Sequence, residues 1–305
     1  MTDPLAEVVQ LLQPGARHSK LVQGASPWRV RRSDFGEPFY CVVLEGGCRV
    51  TIDGQEPLEL AAGDFTLIPA AWNVTVASLV EPPAGRDTPD PVPIGPGEFR
   101  IGPMDGAVDL RMVAGHCSFG SRDASLLVSL LPKFVHVRGD RRLATLVDLV
   151  REESRAQRPA REVVLARLLE VLLIEALRST AGTDASPGLV RGLADPRLAI
   201  AIRGMHAHPT RAWTVADLAK AAALSRSTFF ERFSREVGVA PMEYLLAWRM
   251  ALAKDLLLRN AGRMAEIAER VGYGSASTFS VAFTRHVGQA PSQYARQSVA
   301  AAGGR

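Results

Sequence analysis

The chain is short of cysteine, lysine and aromatic residues, and each shortage removes a class of protein. Three cysteines in 305 residues, Cys41, Cys48 and Cys117, do not make a disulfide framework. No run of ~18 uncharged apolar residues is present, so no segment is expected to span a membrane. The N-terminus has no basic stretch followed by an apolar one, and the expectation is a cytoplasmic protein. There are four lysines, and none follows a glycine-rich turn, so a phosphate loop is excluded. Nucleophile elbows and zinc-protease motifs are absent as well. No His-x-His pair falls in the β-rich region, where a metal-holding barrel would need one. No catalytic constellation, resident metal or cofactor is therefore expected, and the chain does not read as an enzyme.

What is present is enough apolar residue to build a core, 47% of the chain, in a length suited to two domains. Charge is unevenly spread. From Asp195 onward there are 15 basic and 8 acidic residues, and before it 21 and 24. A basic C-terminal third beside a mildly acidic remainder is the distribution expected when one part meets phosphate.

The periodicity changes along the chain. Leu5, Val8, Val9 and Leu12 share one face of a helix over 4–12, which Pro14-Gly15 ends. Short strand-like runs follow at 20–23, 28–31, 40–44, 48–52 and 65–68, with turn signals between them that include Gly46-Gly47. Residues 81–98 carry six prolines and read as an exposed loop unable to join a ladder. Strand character returns over 108–119, and 126–131 reads as a short helix. Two helices are expected over 142–157 and 160–179, the second apolar on more than one face and therefore suited to a second subunit. The expected division is a sensor and dimerisation domain over 1–180, a linker over 181–194, a helical domain over 195–297 and a tail over 298–305.

The helical third holds one pattern twice. Residues 225–244 and 275–294 agree at about half of their paired positions. Each copy offers a serine cap (Ser225, Ser275), two phenylalanines four apart (Phe229 and Phe233, Phe279 and Phe283) and a closing glycine (Gly238, Gly288). A proline then starts the next helix. Each follows a shorter helix and a turn, so each is a helix-turn-helix unit. The helix over 242–258 joins them and spans ~25 Å, near the ~34 Å of one DNA turn.

Residues from about 196 to 294 resemble the DNA-binding domain of the AraC/XylS family of bacterial transcriptional regulators. The resemblance is strongest at Ile267-Ala268, Gly272-Tyr273, Ser277 to Phe279, Phe283, Gly288, Pro291 and Tyr294. The N-terminal part resembles the cupin-like sensor domain of a subset of that family, through Val43 to Gly46, Leu60 to Asp64, Leu67 to Pro69 and Leu130 to Pro132. The resemblance implies a multidomain protein: an N-terminal cupin-like β-barrel with a helical hairpin, and a C-terminal all-α domain with two helix-turn-helix units. It implies promoter DNA as partner, with RNA polymerase as a further one, and a homodimer formed through 142–179. Base contacts fall by this resemblance on Ser227, Phe230 and Glu231, and on Ala276, Ser277, Ser280 and Val281, with Thr278 beside them. Arg226, Arg232, Arg235 and Arg285 are assigned to phosphate or packing. Relatives often carry arginine where this chain has Glu231 and Val281, so a changed operator is expected.

For the sensor half the effector is a small molecule or a redox signal. Cys41, Cys48, Cys117, His116 and Asn73 are the candidate sensing residues, against the plainer reading of the thiols as small buried hydrophobes. Two alternatives stay open: a cupin enzyme fused to a DNA-binding domain, and a constitutive DNA-binding protein whose β domain only dimerises. The sign of regulation, activation or repression, is not fixed by the residues.

Overall fold

Sixteen residues, Glu37–Ile52, form one bent strand around which the N-terminal sheet is built. The computed structural model describes residues 3–32, 36–52, 56–71, 73–82, 88, 90–119, 127–128, 130–156, 158–179 and 187–302. The chain divides into two units. One comprises Leu12–Arg122 and Pro132–Ser186, and the other Met1–Leu11, Asp123–Leu131 and Pro187–Arg305. Among the described residues, no helix is long and apolar enough to cross a membrane.

The strands of the first unit are β1 (Pro14–Gly24), β2 (Arg29–Arg32), β3 (Glu37–Ile52), β4 (Leu58–Ala61), β5 (Phe65–Ala71), β6 (Val74–Ser78), β7 (Val92–Gly95), β8 (Glu98–Ile101), β9 (Leu110–Phe119) and β10 (Val135–Val137). They form one curled sheet whose main path runs β10-β5-β3-β9-β1-β8-β7. The first arm of β3 pairs antiparallel with β5 and β9, and its second arm with β4 and β6. The bend falls at Gly46, where φ is +75° and an added Cβ would lie 1.9 Å from the Asp109 carbonyl oxygen. Only glycine fits a left-handed backbone pressed so closely against another chain segment. The bend turns the two arms toward one core, in which Phe39, Cys41 and Val43 from the first arm meet Cys48 and Val50 from the second. The expected break between two strands at Gly46-Gly47 is thus corrected to a bend inside one strand. Glycine permits either a reversal or a bulge, and the register slip between Val43 and Glu45 shows the second.

The proline-rich stretch also differs from expectation. Its residues Val92–Gly95 pair antiparallel with β8 at the sheet edge, where Pro93 can be accommodated without a ladder N–H. Most of the proline-rich part before it, 83–87 and 89, lies outside the described residues, as do 126 and 129 of the expected short helix, whose Leu127 and Val128 are helical.

Helices α2 (Arg141–Arg155) and α3 (Arg161–Arg178) complete the first unit. Asp140 caps α2, its side chain accepting from the Arg142 and Leu143 N–H groups. The two helices pack on each other and on β1. α3 buries Leu165, Leu169, Leu172, Leu173, Ala176 and Leu177, yet Val163, Val164 and Val171 stay exposed on its other side.

The second unit is helical: α1 (Pro4–Leu12), α4 (Leu189–Ala194), α5 (Pro196–Ala207), α6 (Val215–Ala221), α7 (Arg226–Val237), α8 (Pro241–Leu258), α9 (Met264–Arg270), α10 (Ala276–Val287) and α11 (Pro291–Ala302). The stretch read as linker therefore ends in helix α4, and α11 continues into the stretch read as tail. Leu5, Val8, Val9 and Leu12 of α1 are all buried, as their spacing predicts.

α1 is held to the C-terminal helices by a buried polar chain. His206 of α5 donates through Nδ1 to Glu7 Oε2 (2.7 Å), accepts at Nε2 from the Tyr244 hydroxyl (2.7 Å) and stacks on Trp248 with ring centroids 4.0 Å apart. Desolvation pulls the imidazole below its ordinary value of 6.5 and outweighs the opposing pull of the Glu7 hydrogen bond and charge. The neutral ring then matches both bonds. Because the folded value is depressed, the unfolded chain takes up this proton first, and the stability is present above ~6.5 and lost as pH falls below it. The thermal midpoint of this unit is expected to fall between pH 7.5 and 5, with Trp248 fluorescence as reporter, and more steeply than in His206→Gln. Equal slopes would remove His206 from the account.

Candidate nucleic-acid interface

Two helix-turn-helix units are built alike inside. In the first, Ser225 caps α7 by accepting from the Thr228 N–H (3.2 Å). In the second, Ser275 caps α10 through Thr278 N–H at the same distance. Phe229 and Phe233 lie 5.5 Å apart, as do Phe279 and Phe283. The second ring of each pair meets a tyrosine edge-on: Phe233 meets Tyr244 at 5.7 Å, and Phe283 meets Tyr294 at 5.6 Å. All four phenylalanines are fully buried. Gly238 and Gly288 close the two helices at φ +85° and +81°.

The turns close in the same way with different residues. Leu224 N–H reaches the Ala219 carbonyl, and Tyr273 N–H the Ala268 carbonyl, both at 2.9 Å. The left-handed position is Ala223 (φ +52°) in the first turn and Gly272 (φ +82°) in the second. An alanine there costs roughly 1 kcal/mol. Ala223→Gly is expected to raise stability by about 0.5 kcal/mol, the gain being offset in part by the entropy of the unfolded glycine. Gly272→Ala acts the other way, because its Cβ would lie 2.7 Å from the Pro209 carbonyl oxygen and 2.8 Å from Arg249 Nη2. A loss of roughly 2 kcal/mol or more is expected there. Urea melts of the two variants check the opposite signs.

The matched interiors leave two different exposed faces. On α7, Arg226, Ser227, Phe230 and Glu231 face solvent and line a shallow concavity with Val215. On α10, Ser277, Thr278 and Val281 are exposed, whereas Ala276 and Ser280 are half-buried. Ser277, Thr278 and Val281 share a second concavity with Tyr273 and Arg285. Val281 is 71% exposed and Phe230 45%, unusual for large apolar side chains unless something covers them. Ser280 Oγ donates to the Ala276 carbonyl within its helix (2.7 Å), which turns that hydroxyl inward.

The four arginines separate into two pairs. Arg226 and Arg285 are exposed, and among the described residues neither has an ion-pair partner. Arg232 instead pairs through Nε with Asp195, the residue that caps α5. Arg235 meets Glu236 at 2.8 Å, and Arg191 holds the other oxygen of the same carboxylate. Burial raises the Glu236 carboxyl, but the hydrogen bonds from Arg235 and Arg191 prevail and hold it below the ordinary value. Arg249 on the joining helix α8 donates to the Pro209 and Arg211 carbonyls, both at 2.8 Å, so its role is to fix the segment before α6. Lys254 is buried with its ammonium 5.9 Å from the Tyr294 ring centroid.

The candidate sensing residues do not converge on one exposed site. Cys41, Cys48 and Cys117 are free and buried. Burial pushes Cys48 and Cys117 up to about 12, and Cys41 well above the ordinary thiol value. This disfavours the thiolate on which oxidation and soft-metal binding depend. Asn73 is exposed beside β6. His116 lies on β9 with its ring 5.3 Å from Phe39. Among the described residues no group of three or more histidine, cysteine or acidic side chains is placed to hold a metal ion. Asp64 and His136, which no sequence signal brought together, form a 3.0 Å pair.

A pair of helix-turn-helix units with two exposed recognition faces, on a chain that also carries a curled β-sheet domain, defines a sequence-specific DNA-binding transcriptional regulator. The family matches and the curated relatives agree. The Cupin family matches residues 3–182, and the helix-turn-helix domain family residues 218–297. A protein named as an AraC-like transcription regulator from Streptomyces lividans is 35% identical over 90% of this chain and 92% of its own. Another of that name from Streptomyces antibioticus is 35% identical over the same shares. Among solved structures, the C-terminal domain of the response regulator AraT from Geobacillus stearothermophilus is 31% identical, covers 33% of this chain and 85% of its own, and has a TM-score of 0.32. The chain belongs to the AraC-like transcription regulators with an N-terminal cupin domain.

Proposed function

We propose that the protein is a cytoplasmic one-component regulator that reads two unlike DNA segments per subunit and answers to a small-molecule effector taken up by its cupin half. The observation that carries this reading is the pairing of two matched aromatic cores with two unmatched exposed faces. Matched cores hold two helices alike, and unmatched faces read different bases. Ser227, Phe230 and Glu231 meet bases from α7, with Glu231 accepting from a cytosine amino group. Ala276, Ser277, Thr278 and Val281 do so from α10, with Val281 against a thymine methyl. Arg226 and Arg285 meet phosphate. RNA polymerase is the further partner of this reading.

The active species is a homodimer joined through α2 and α3. Support comes from Val163, Val164 and Val171, exposed on a helix whose opposite side is already packed, together with Leu149 of α2. Footprinting with and without candidate effectors, paired with sedimentation, tests the reading. The wild-type dimer should protect two copies of a bipartite site. Val163→Asp with Val171→Asp should sediment as a monomer and protect one copy, with affinity lowered at least tenfold. No protection by the wild type would overturn the DNA reading. A variant that stays dimeric would move the interface elsewhere.

A further inference from the structure

The curled sheet encloses a small cavity whose chemistry is one-sided. Its walls are apolar, with Trp28, Phe39 and Met112 among them, and its polar residues are Lys20, Arg32 and His116. Among the described residues, none that lines it is acidic. Among the described residues, neither Lys20 nor Arg32 is in an ion pair, although the Lys20 ammonium lies 5.0 Å from the Phe99 ring centroid. Lys20 is half-buried. Desolvation first, and then the neighbouring Arg32 charge, pull its ammonium below the ordinary value, against the weaker opposing influence of Asp90. Asp90 itself is exposed.

We infer that this cavity binds an apolar monocarboxylate, a single aromatic ring or a short hydrocarbon chain carrying one carboxylate. The inference rests on the reading of the cupin half as the effector-binding half, and it names the effector's class. Bringing two cations to one partly desolvated cavity is unfavourable, and an anion held between them relieves that repulsion. Arg32 offers the planar fork that suits a carboxylate, and Lys20 a mobile point charge. The hydrocarbon body then occupies the apolar interior, where its removal from water adds to the affinity. A neutral ligand of the same shape forgoes the charge, and a cationic one is repelled.

Calorimetry on the full-length protein tests this, with octanoate and phenylacetate as probes and octanol, phenylethanol and octylamine as counterparts. At least one acid is expected to bind ten times or more tighter than its alcohol, with the amine weakest. Lys20→Met with Arg32→Met should erase the preference for acid over alcohol while leaving promoter affinity without ligand unchanged. Failure of both acids to bind at millimolar concentration would overturn the inference. So would equal affinity for acid and alcohol, or a double variant that keeps the preference. The wild-type comparison stands even if that variant misfolds. A protein that footprints its promoter but ignores both acids loses only this inference. One that binds acid but no DNA loses only the regulator reading.

Discussion

Reversing Arg226 and Arg285 together to glutamate is expected to weaken binding to the promoter and to unrelated DNA alike, by roughly 100-fold at ~0.1 M salt, and to reduce the salt slope by about 2. Both guanidinium groups are exposed and without an ion-pair partner among the described residues, so both are available to phosphate. The position equivalent to Arg285 in the first unit is Arg235, whose charge is already met by Glu236. The second unit has His286 in place of that glutamate, and so leaves its arginine available. Reversing Arg232 should act through stability instead, since it breaks the pair with Asp195 and leaves two like charges at the α5 cap. Glu231→Gln offers the contrast within the interface. It should change base preference at one position and leave affinity for unrelated DNA nearly intact. Filter binding or fluorescence anisotropy across a salt series separates the three outcomes. An unchanged slope in the double reversal would reject the phosphate role of Arg226 and Arg285.

The second large effect is expected in the core of the second helix-turn-helix unit. Phe279→Ala should cost about 3–5 kcal/mol, the range for deleting a fully buried aromatic ring. Phe279 has no exposed surface and touches Tyr273 at 5.7 Å and Phe283 at 5.5 Å between centroids. It shares one cluster with Met250 and Leu257 of α8, so its loss also loosens the helix that joins the two DNA-reading units. Denaturant unfolding should show the loss, and Phe279→Leu should recover most of it. Promoter affinity should fall together with stability in Phe279→Ala. A cost below ~1 kcal/mol would mean that the unit refills the space, contrary to the dense packing of a buried core.

The features legible in the sequence are those set by near neighbours. The serine caps, the phenylalanine pairs and the closing glycines act within four residues, and each stands where its spacing predicts. What sequence left obscure depends on distant segments. The bend at Gly46 is decided by Asp109, which presses on it from another part of the chain. Arg232 looks like its three fellow arginines until Asp195, 37 positions away, takes its charge. The cavity gathers its wall from strands spread between Lys20 and His116, with no two of its basic residues near in sequence. The short strands β4, β6, β7 and β8 carry too few residues for a periodic signal, and the sheet itself defines them.

The bond between Glu7 and His206 has a consequence for dissecting the protein. The C-terminal unit includes Met1–Leu11, which the chain delivers almost two hundred positions before the helices they pack with. A fragment cut at the boundaries of the helix-turn-helix match would carry Tyr244 and Trp248 but neither His206 nor α1. It would begin with part of its own interior facing water. A faithful isolated reader of DNA has to restore the first helix as a separate peptide or a tether, and the affinity of that peptide measures how tightly the beginning of the chain is built into its end.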